Sequence, residues 1–241
     1  MASALILDIG RREGDLFARG YSLLGEAERD RLSCFRNPED ALRMTCGRLL
    51  LRWHLASLIG PEDASAAGLD YSHHGRPSLR GYPDLDFNLS HSGPWVACAV
   101  SRRGRIGIDV ETARDPSGQV ADRFFSVHEK AWLGSMLADQ VEERFTQLWT
   151  LKEALVKADG RGLSIPLDSF TLRMEAGGAP RLEPGDWASP DNWSFASRRL
   201  GPGACLGVAY PWGERLELLR VTAETLLQPG EIFAKEIGTH A

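Results

Sequence analysis

Two acidic residues separated by one position, Asp109 and Glu111 in the stretch GIDVE, offer the most specific chemistry in the sequence. On a strand, side chains two positions apart point to the same face, so both carboxylates would project together while Val110 enters the core. Neighbouring carboxylates repel each other, and such a pair is tolerated when both lie in water or when a cation lies between them. Hard oxygen ligands suit Mg²⁺. The pair therefore indicates either a solvated strand edge or a magnesium site.

The stretch FTQLWTLKEALVKADGRGL at 145–163 reads as a helix that offers a third ligand. Positions i, i+4 and i+8 lie in a row on one helix face, which aligns Trp149, Glu153 and Lys157. In the simplest interpretation Glu153 and Lys157 form a surface ion pair worth about 0.2–0.5 kcal/mol. An acid, an aromatic ring and an ammonium on one face, followed by a glycine-rich turn, also fit a site for a metal ion and a phosphate.

The heptapeptide FNLSHSG at 87–93 reads as the end of a half-buried strand followed by a turn rich in hydrogen-bond donors. Ser90 and His91 in this turn are suited to an anion, or the hydroxyls of the turn satisfy their own backbone. Arg76 and Lys157 add positive charge. Together with the three carboxylates, these groups are typical of phosphoryl-type transfer, with a diphosphate or polyphosphate as substrate.

Helices and short strands alternate along the chain and carry these residues. Each half of the chain, 1–111 and 112–241, combines helices with antiparallel strands, which predicts an α+β fold, and the Pro- and Gly-containing stretch 112–120 is the predicted connection. The three strands before this connection are expected to form an antiparallel meander. Predicted helices span 26–35, 38–58, 124–137 and 142–159; predicted strands lie around 4–9, 85–89, 95–100, 105–110 and in three segments after residue 168.

The overall composition excludes several classes of protein. The chain has 241 residues with 43% hydrophobic and 25% charged residues, as a soluble globular protein does. A formal net charge of -5 argues against a nucleic-acid binder. The four cysteines are too far apart for a metal or redox motif and predict reduced thiols in the cytoplasm. The apolar run at the amino terminus is interrupted by Asp8, so we expect neither a signal peptide nor a membrane span.

Four ordered motifs resemble one known family. HHGRPSL, FNLSHSG, GIDVE and WTLKEALVKADGRGLSIPL, between residues 20 and 212, are similar to the 4'-phosphopantetheinyl transferases of the surfactin-synthetase-activating (Sfp) type. The resemblance implies transfer of the phosphopantetheine arm of coenzyme A to a serine of an acyl, peptidyl or aryl carrier protein, with release of adenosine 3',5'-bisphosphate. It also implies Mg²⁺ dependence, a monomer, and two pseudo-symmetric α+β halves with coenzyme A in the cleft between them.

The same resemblance implies a role for individual residues. Asp109, Glu111 and Glu153 would hold the magnesium, and Glu153 would also accept the proton of the carrier serine. Lys157 would bind the diphosphate of coenzyme A. By the same correspondence, Ser90 and His91 would hold phosphates of coenzyme A, and Arg76, at a position where the family commonly has lysine, would contact the nucleotide end.

Two positions depart from the family pattern near the expected 3'-phosphate site. Glu28 occurs where a cation is expected, and Met44 occurs where a hydroxyl can help to hold the phosphate. Arg31 remains available on the same predicted helix. Arg43, together with Arg48, offers compensating charge, although a solvated helix flank is the simpler explanation of these arginines.

The expected docking region for the carrier follows the connection between the halves. Of the adjacent rings Phe124 and Phe125, at least one must lie in the core, because neighbours on a helix cannot share a face. The other would meet the carrier, with Arg123 and Lys130 as candidate charges facing an acidic carrier helix.

Two other functions use the same residues. One is a non-catalytic protein that binds coenzyme A or a carrier, for which a missing metal ligand would be typical. The other is a magnesium phosphodiesterase that uses water as its nucleophile. The motifs do not distinguish among carrier proteins or pathways.

Overall fold

A computed structural model describes residues 1–10, 16–112, 118–174, 179–185 and 192–227 of the chain. The strands in these residues are β1 (Ala2–Asp8), β2 (Leu69–Tyr71), β3 (Pro77–Leu79), β4 (Asp86–Ser92), β5 (Trp95–Ser101), β6 (Gly107–Thr112), β7 (Leu172–Arg173), β8 (Arg181–Leu182), β9 (Trp193–Gly201), β10 (Ala204–Pro211) and β11 (Leu216–Val221). The α-helices are α1 (Leu16–Ser22), α2 (Glu26–Ser33), α3 (Pro38–Ile59), α4 (Pro61–Ala66), α5 (Gly118–Phe124), α6 (Val127–Gly134), α7 (Val141–Asp159) and α8 (Ala223–Leu227).

Two main sheets carry the architecture. The first has the strand order β11-β1-β5-β4, and the second has the order β6-β10-β9. Every pairing in them is antiparallel except that of β1 with β11, which is parallel. The fold is therefore of the predicted α+β class. Two small hairpins, β2-β3 and β7-β8, lie outside these sheets.

The two sheets are built with the same connectivity. In the first, a strand (β1), a long helix (α3) and a hairpin (β4-β5) follow one another, and β5 lies in the middle. In the second, β6, α7 and the hairpin β9-β10 repeat this order with β10 in the middle. The last strand, β11, pairs with β1, so residues 216–221 belong to the first sheet. The division of the chain at residue 112 stays a prediction, and residues 113–117 lie outside the described part.

The core has three parts arranged between four layers. One part lies between α3 and the first sheet, and another lies between α7 and the second sheet. The third lies between the sheets and is lined by small and branched side chains such as Ala97, Ala99, Ile108 and Val208. Because neighbours along a strand face opposite sides, β5 serves two of these parts, and all of its residues are buried. None of the described helices has both the length and the apolar character needed to cross a bilayer.

A row of polar side chains joins the two sheets. One edge of β6 pairs with β10, and its other edge presents backbone N–H groups that must find acceptors because they are buried. Alternate side chains of β4 provide these acceptors. The four hydrogen bonds run from Ile106 N to Asp86 Oδ2 (2.7 Å), from Ile108 N to Asn88 Oδ1 (2.9 Å), from Val110 N to Ser90 Oγ (3.2 Å) and from Thr112 N to Ser92 Oγ (3.1 Å). We call this row the β4–β6 seam.

The seam corrects two predictions. The expected meander is wrong in its third strand, because β6 pairs with β10 and not with β5. The expected turn at Ser90 is also wrong: β4 continues to Ser92, and the turn occupies Gly93 and Pro94. Polar residues that alternate with apolar ones normally face water, but those of β4 face the edge of another strand.

The helix expected over 124–137 has other bounds. It begins only at Val127, because Ser126 caps α6, and it ends at Gly134. The helix α5 ends at Phe124 and occupies residues 118–120 of the predicted connection. The Ser126 hydroxyl accepts from Glu129 N at 3.3 Å, and the Glu129 carboxylate accepts from Ser126 N at 2.8 Å.

Candidate active site

The two carboxylates of β6 lie next to hydroxyls of the β4–β6 seam. Asp109 is only 3% exposed, and its Oδ1 accepts hydrogen bonds from Ser90 Oγ (2.9 Å) and Lys157 Nζ (2.5 Å). Glu111 Oε2 accepts from Ser92 Oγ at 2.8 Å. The strand thus presents both acids on the face that its alternation predicted, and each acid has a serine donor.

The helix α7 approaches β6 closely enough for its side chains to join these acids. A Cβ atom at Gly107 would lie 1.9 Å from the carbonyl oxygen of Ala154, so only glycine permits this approach. Lys157 Nζ reaches Asp109 and also the carbonyl oxygen of Ile108 at 3.4 Å. The helix ends at Gly160, whose φ of 89° lies in the left-handed region.

The charges around Glu153 show that the predicted acids share one electrostatic environment. Burial raises the pKa of the Glu153 carboxyl, and the negative charge of Asp109 raises it further. Lys157 acts in the opposite direction, and Glu111 raises the pKa again. Glu153 is therefore a better proton acceptor than an exposed glutamate.

His91 of β4 lies in the electrostatic environment of two basic side chains, Arg43 of α3 and Lys157 of α7. Partial burial of the imidazole lowers the pKa of His91, and the positive charges of Arg43 and Lys157 lower it further, against the effect of Asp40. The Arg43 guanidinium donates to the carbonyl oxygen of Gly93 at 3.1 Å. The positive charges of Arg43 and Lys157 thus both act on His91, and an anion beside the imidazole would be attracted by both of them.

Two other predicted coenzyme A ligands lie among protein acceptors. Arg76 is 9% exposed, and its guanidinium donates to Asp86 and to the carbonyl oxygens of Ile106 and Lys157, which joins β4, β6 and α7. Arg31 donates to the hydroxyl of Tyr71 at 2.7 Å. These contacts neither support nor contradict binding of the nucleotide by Arg76 and Arg31, so both assignments stay predictions.

The oxygen ligands of the site fit a hard divalent cation. Asp109 Oδ2 is buried and accepts no hydrogen bond, although a buried carboxylate oxygen normally has a partner. A cation beside this oxygen would satisfy it and would relieve the repulsion among the three acids. Within the described ranges, no three His, Cys, Asp or Glu side chains are arranged as a formed metal cluster. The chemistry of the ligands therefore fits Mg²⁺, while their present conformation is not a closed coordination shell.

Comparisons with known proteins identify the family. The model of the 4'-phosphopantetheinyl transferase superfamily matches residues 105–209, and the model of the 4'-phosphopantetheinyl transferase N-terminal region matches residues 13–103. A 4'-phosphopantetheinyl transferase of Bacillus subtilis is 37% identical over 172 residues, which cover 71% of this chain and 76% of that protein. The chain belongs to the 4'-phosphopantetheinyl transferase family. The family predicted from the four motifs is thereby confirmed.

Other relatives of this transferase have the same family name. The transferase Sfp of Bacillus subtilis strain 168 is 37% identical over 175 residues, which cover 71% of this chain and 76% of that protein. The transferase HetI of a Nostoc species is 38% identical over 146 residues, which cover 58% of this chain and 61% of that protein. Among solved structures, the holo-[acyl-carrier-protein] synthase of Thermotoga maritima aligns with a TM-score of 0.39 at 20% identity, over 46% of this chain and 64% of that one.

Glu28 and Met44, the two departures from the family pattern, both make contacts within the first half of this transferase. Glu28 of α2 pairs with Arg52 of α3 at 2.5 Å, and Arg48 lies 4.0 Å from the same carboxylate. The acid therefore ties α2 to α3. Met44 packs against the core between α3 and the first sheet.

Lys152 is a residue of the WTLKEALVK motif to which the sequence assigned no role. It is fully buried, and its ammonium donates to both carboxylate oxygens of Glu129 at 2.6 Å and to the carbonyl oxygen of Phe170 at 2.8 Å. Burial lowers the pKa of Lys152 to about 8, against the opposing effect of Glu129. Lys152 thus joins α7 to α6 within the transferase. Its position on the face shared with Leu148 and Leu155 was the available signal for burial.

The region expected to meet a carrier contains one core ring and one half-buried ring. Phe125 is 1% exposed, so the prediction that at least one of the pair lies in the core is confirmed. Phe124 is half-buried and packs edge-on against Trp149, with the Arg123 guanidinium 5.2 Å from the centre of its ring. Lys130 is half-buried on α6.

Proposed function

We propose that this chain transfers the 4'-phosphopantetheine group of coenzyme A to a serine of an apo acyl, peptidyl or aryl carrier protein. Adenosine 3',5'-bisphosphate is the second product. The bond that forms joins the serine oxygen to the β-phosphorus of coenzyme A, and the bond that breaks joins this phosphorus to the bisphosphate oxygen. The proton of the serine passes to the enzyme.

The convergence of acids from two elements carries this proposal. Asp109 and Glu111 come from β6, and Glu153 comes from α7, yet their charges act on one another across the gap between strand and helix. Lys157, one helical turn after Glu153, donates to Asp109. In a member of this family, that arrangement supports phosphoryl transfer from a diphosphate.

Glu153 is the proposed base. Its raised pKa favours acceptance of the serine proton, directly or through one water molecule. The partial burial that raises this pKa also limits contact of the carboxylate with bulk water.

Asp109, Glu111 and Glu153 would hold Mg²⁺, and Lys157 would contact the diphosphate. The metal ion would neutralise negative charge that develops on the leaving bisphosphate. Lys157 orients Asp109 through its hydrogen bond, and its positive charge would attract the phosphate oxygens.

His91 and Arg43 would bind the other phosphates of coenzyme A. The effect of Arg43 on the pKa of His91 supports this role, because it places the guanidinium in the electrostatic environment of the imidazole. Ser90 remains a candidate phosphate ligand, although its hydroxyl hydrogen goes to Asp109 in this structure. Arg31 and Arg76 would contact the nucleotide end, with Arg31 exchanging its bond to Tyr71 for one to the 3'-phosphate.

The carrier would dock beside Phe124, with Arg123 and Lys130 facing acidic residues of its helix. Exposure of Val127 (76%) on the first turn of α6 supports an apolar contact there. We also propose that the chain works as a monomer in the cytoplasm, where coenzyme A and the carriers of biosynthetic pathways occur together.

Intact-mass spectrometry tests the reaction. An apo carrier protein incubated with this chain, coenzyme A and Mg²⁺ should gain the mass of one phosphopantetheine group, and EDTA should abolish the gain. A coenzyme A complex that modifies none of several apo carriers would favour the alternative of a non-catalytic binding protein. Bisphosphate release without any carrier would favour the phosphodiesterase.

Substitution of the acids tests their catalytic role. Asp109→Ala and Glu153→Gln should each lower the rate of carrier modification by about 100-fold or more while the thermal unfolding transition is retained. Glu142→Gln is the matched control, because Glu142 is an exposed acid at the start of the same helix. If the two site variants unfold, or if they stay as active as Glu142→Gln, the carboxylates are not the catalytic groups.

A further inference from the structure

The hydroxyl of Ser92 makes a contact that none of the roles above uses. Its Oγ accepts a hydrogen bond from Thr112 N at 3.1 Å and donates one to Glu111 Oε2 at 2.8 Å. We infer that Ser92 is a positioning residue, whose hydroxyl holds the Glu111 carboxylate in the orientation that binds a divalent cation. This inference rests on the proposed function, because it concerns the same carboxylates.

Ser90 repeats the geometry two positions earlier. Its Oγ accepts from Val110 N at 3.2 Å and donates to Asp109 Oδ1 at 2.9 Å. In both cases a seam serine accepts from one residue of β6 and donates to the carboxylate of the residue just before it. The same arrangement at two positions indicates that the seam serines orient the carboxylates of β6.

The distribution of residue types along the seam supports this reading. An aspartate or asparagine oxygen accepts the β6 N–H as well as a serine does, but the hydroxyl also carries a hydrogen that it can donate. Serines occur at the two seam positions where the preceding β6 residue is an acid, and not at the other two. Asn88 accepts from Ile108, which follows Gly107, and Asp86 accepts from Ile106, which follows Arg105.

The environment of Ser92 makes its hydrogen bond to Glu111 specific. Ser92 is 7% exposed, so water does not replace the contact freely. Thr112 Oγ1 also lies 3.2 Å from Ser92 Oγ. Because a carboxylate is a stronger acceptor than a hydroxyl, the serine hydrogen goes to Glu111, and the threonine hydroxyl donates to Ser92. Both serine lone pairs and its hydrogen are thereby used.

The contact matters because Asp109 and Glu111 repel each other on one face of β6. A glutamate side chain has two rotatable bonds beyond Cβ, and the strand does not fix their rotation. Repulsion by Asp109 would therefore turn the Glu111 carboxylate toward solvent. Loss of groups that orient metal-binding carboxylates typically lowers metal affinity by about 10–100-fold. Ser92 counteracts this rotation before any cation or coenzyme A binds.

The test measures Mn²⁺ binding to the whole chain with saturating coenzyme A, by isothermal titration calorimetry, for the parent protein and three variants. Ser92→Ala should weaken Mn²⁺ binding by about tenfold. Ser92→Thr, which keeps the hydroxyl, should bind like the parent. Asn88→Ala is the matched control: it removes one seam hydrogen bond of the same kind but touches no carboxylate, so it should lower the unfolding temperature without changing Mn²⁺ affinity.

The results of these measurements decide whether Ser92 positions the Glu111 carboxylate. The inference is overturned if Ser92→Ala binds Mn²⁺ as the parent does, or if Asn88→Ala weakens binding equally, since the seam as a whole would then be responsible. If Ser92→Ala does not fold, Ser92→Cys replaces it, because a thiol of similar size is a weak donor and should also reduce the affinity. Absence of Mn²⁺ binding in the parent itself would overturn the proposed metal site together with this inference.

Discussion

Lys157 couples the acidic and basic parts of the site through a single ammonium group. It donates to Asp109 and Ser90, at 2.5 and 3.1 Å. Its charge lowers the pKa of Glu153, against burial and the neighbouring acids, and it contributes to lowering the pKa of His91. A change at Lys157 therefore alters the pKa of Glu153 as well as that of His91, and these two groups should not titrate independently.

The first prediction concerns this coupling. Lys157→Met removes the positive charge that opposes protonation of His91, so the pKa of the imidazole should rise toward its ordinary value. The measurement is an NMR titration of the histidine ring protons, with the His91 signal assigned by its absence from a His91→Asn variant.

Lys130→Met is the matched control for the charge change, because Lys130 lies on α6 and does not act on His91. An unchanged His91 titration in Lys157→Met would show that the ammonium does not act on the imidazole in solution, and that burial and Arg43 alone lower the pKa.

At the level of elements, the site depends on how closely α7 packs on the second sheet. Gly107 of β6 lies opposite Ala209 of β10, Gly207 of β10 lies opposite Asp109 of β6, and both glycines face the backbone of α7. A Cβ atom at Gly207 would lie 2.5 Å from the carbonyl carbon of Thr150. Because backbone cannot move aside as a side chain can, these glycines determine the distance between the acids of β6 and those of α7.

The second prediction follows from this close approach. Gly107→Ala and Gly207→Ala should each destabilise the protein by about 1–3 kcal/mol or more, because the added methyl group overlaps helix backbone. Urea denaturation followed by circular dichroism measures the change.

Gly134→Ala is the matched control, since a Cβ atom there meets no atom within 4 Å. Its position at the end of α6 should make the change neutral or stabilising by up to about 1 kcal/mol. Similar stabilities for Gly107→Ala and Gly134→Ala would show that the helix does not approach the sheet as closely as described.

At the level of the whole molecule, the two sheets share an interior and cannot be separated without exposing it. Ile108 and Val208 of the second sheet pack against small residues of the first, and all of them are buried. The seam supplies the edge of β6 with acceptors from β4, and β11 returns to pair with β1. Both sheets are therefore expected to unfold as one cooperative unit.

The third prediction tests this cooperativity. Native-state hydrogen exchange in low concentrations of urea should give the same opening free energy for the amides of β5 and β10, the middle strands of the two sheets. The result would be contradicted if one of these strands exchanged through an opening that leaves the other strand protected.

Much of the site could be predicted because it depends on local periodicity. The pleat of a strand determines that Asp109 and Glu111 share a face, and the turn of a helix determines that Glu153 and Lys157 share another. The family was also accessible, because the four motifs carry the residue types that its chemistry requires at definite spacings. Capping is local as well: Ser126 and Glu129 have the spacing of a capping box, which starts α6 at Val127 within the helix expected over 124–137.

The pairing of the strands was decided by tertiary structure. An alternation of polar and apolar residues such as that of β4 has the same period whether its polar face meets water or the N–H groups of another strand about twenty residues away. The sequence alone therefore led to a meander and an anion-binding turn, where the folded chain has a seam between two sheets. Which donor holds each acid, and how closely α7 approaches β6, depend on contacts between elements that are far apart in the sequence, and local periodicity does not determine these contacts.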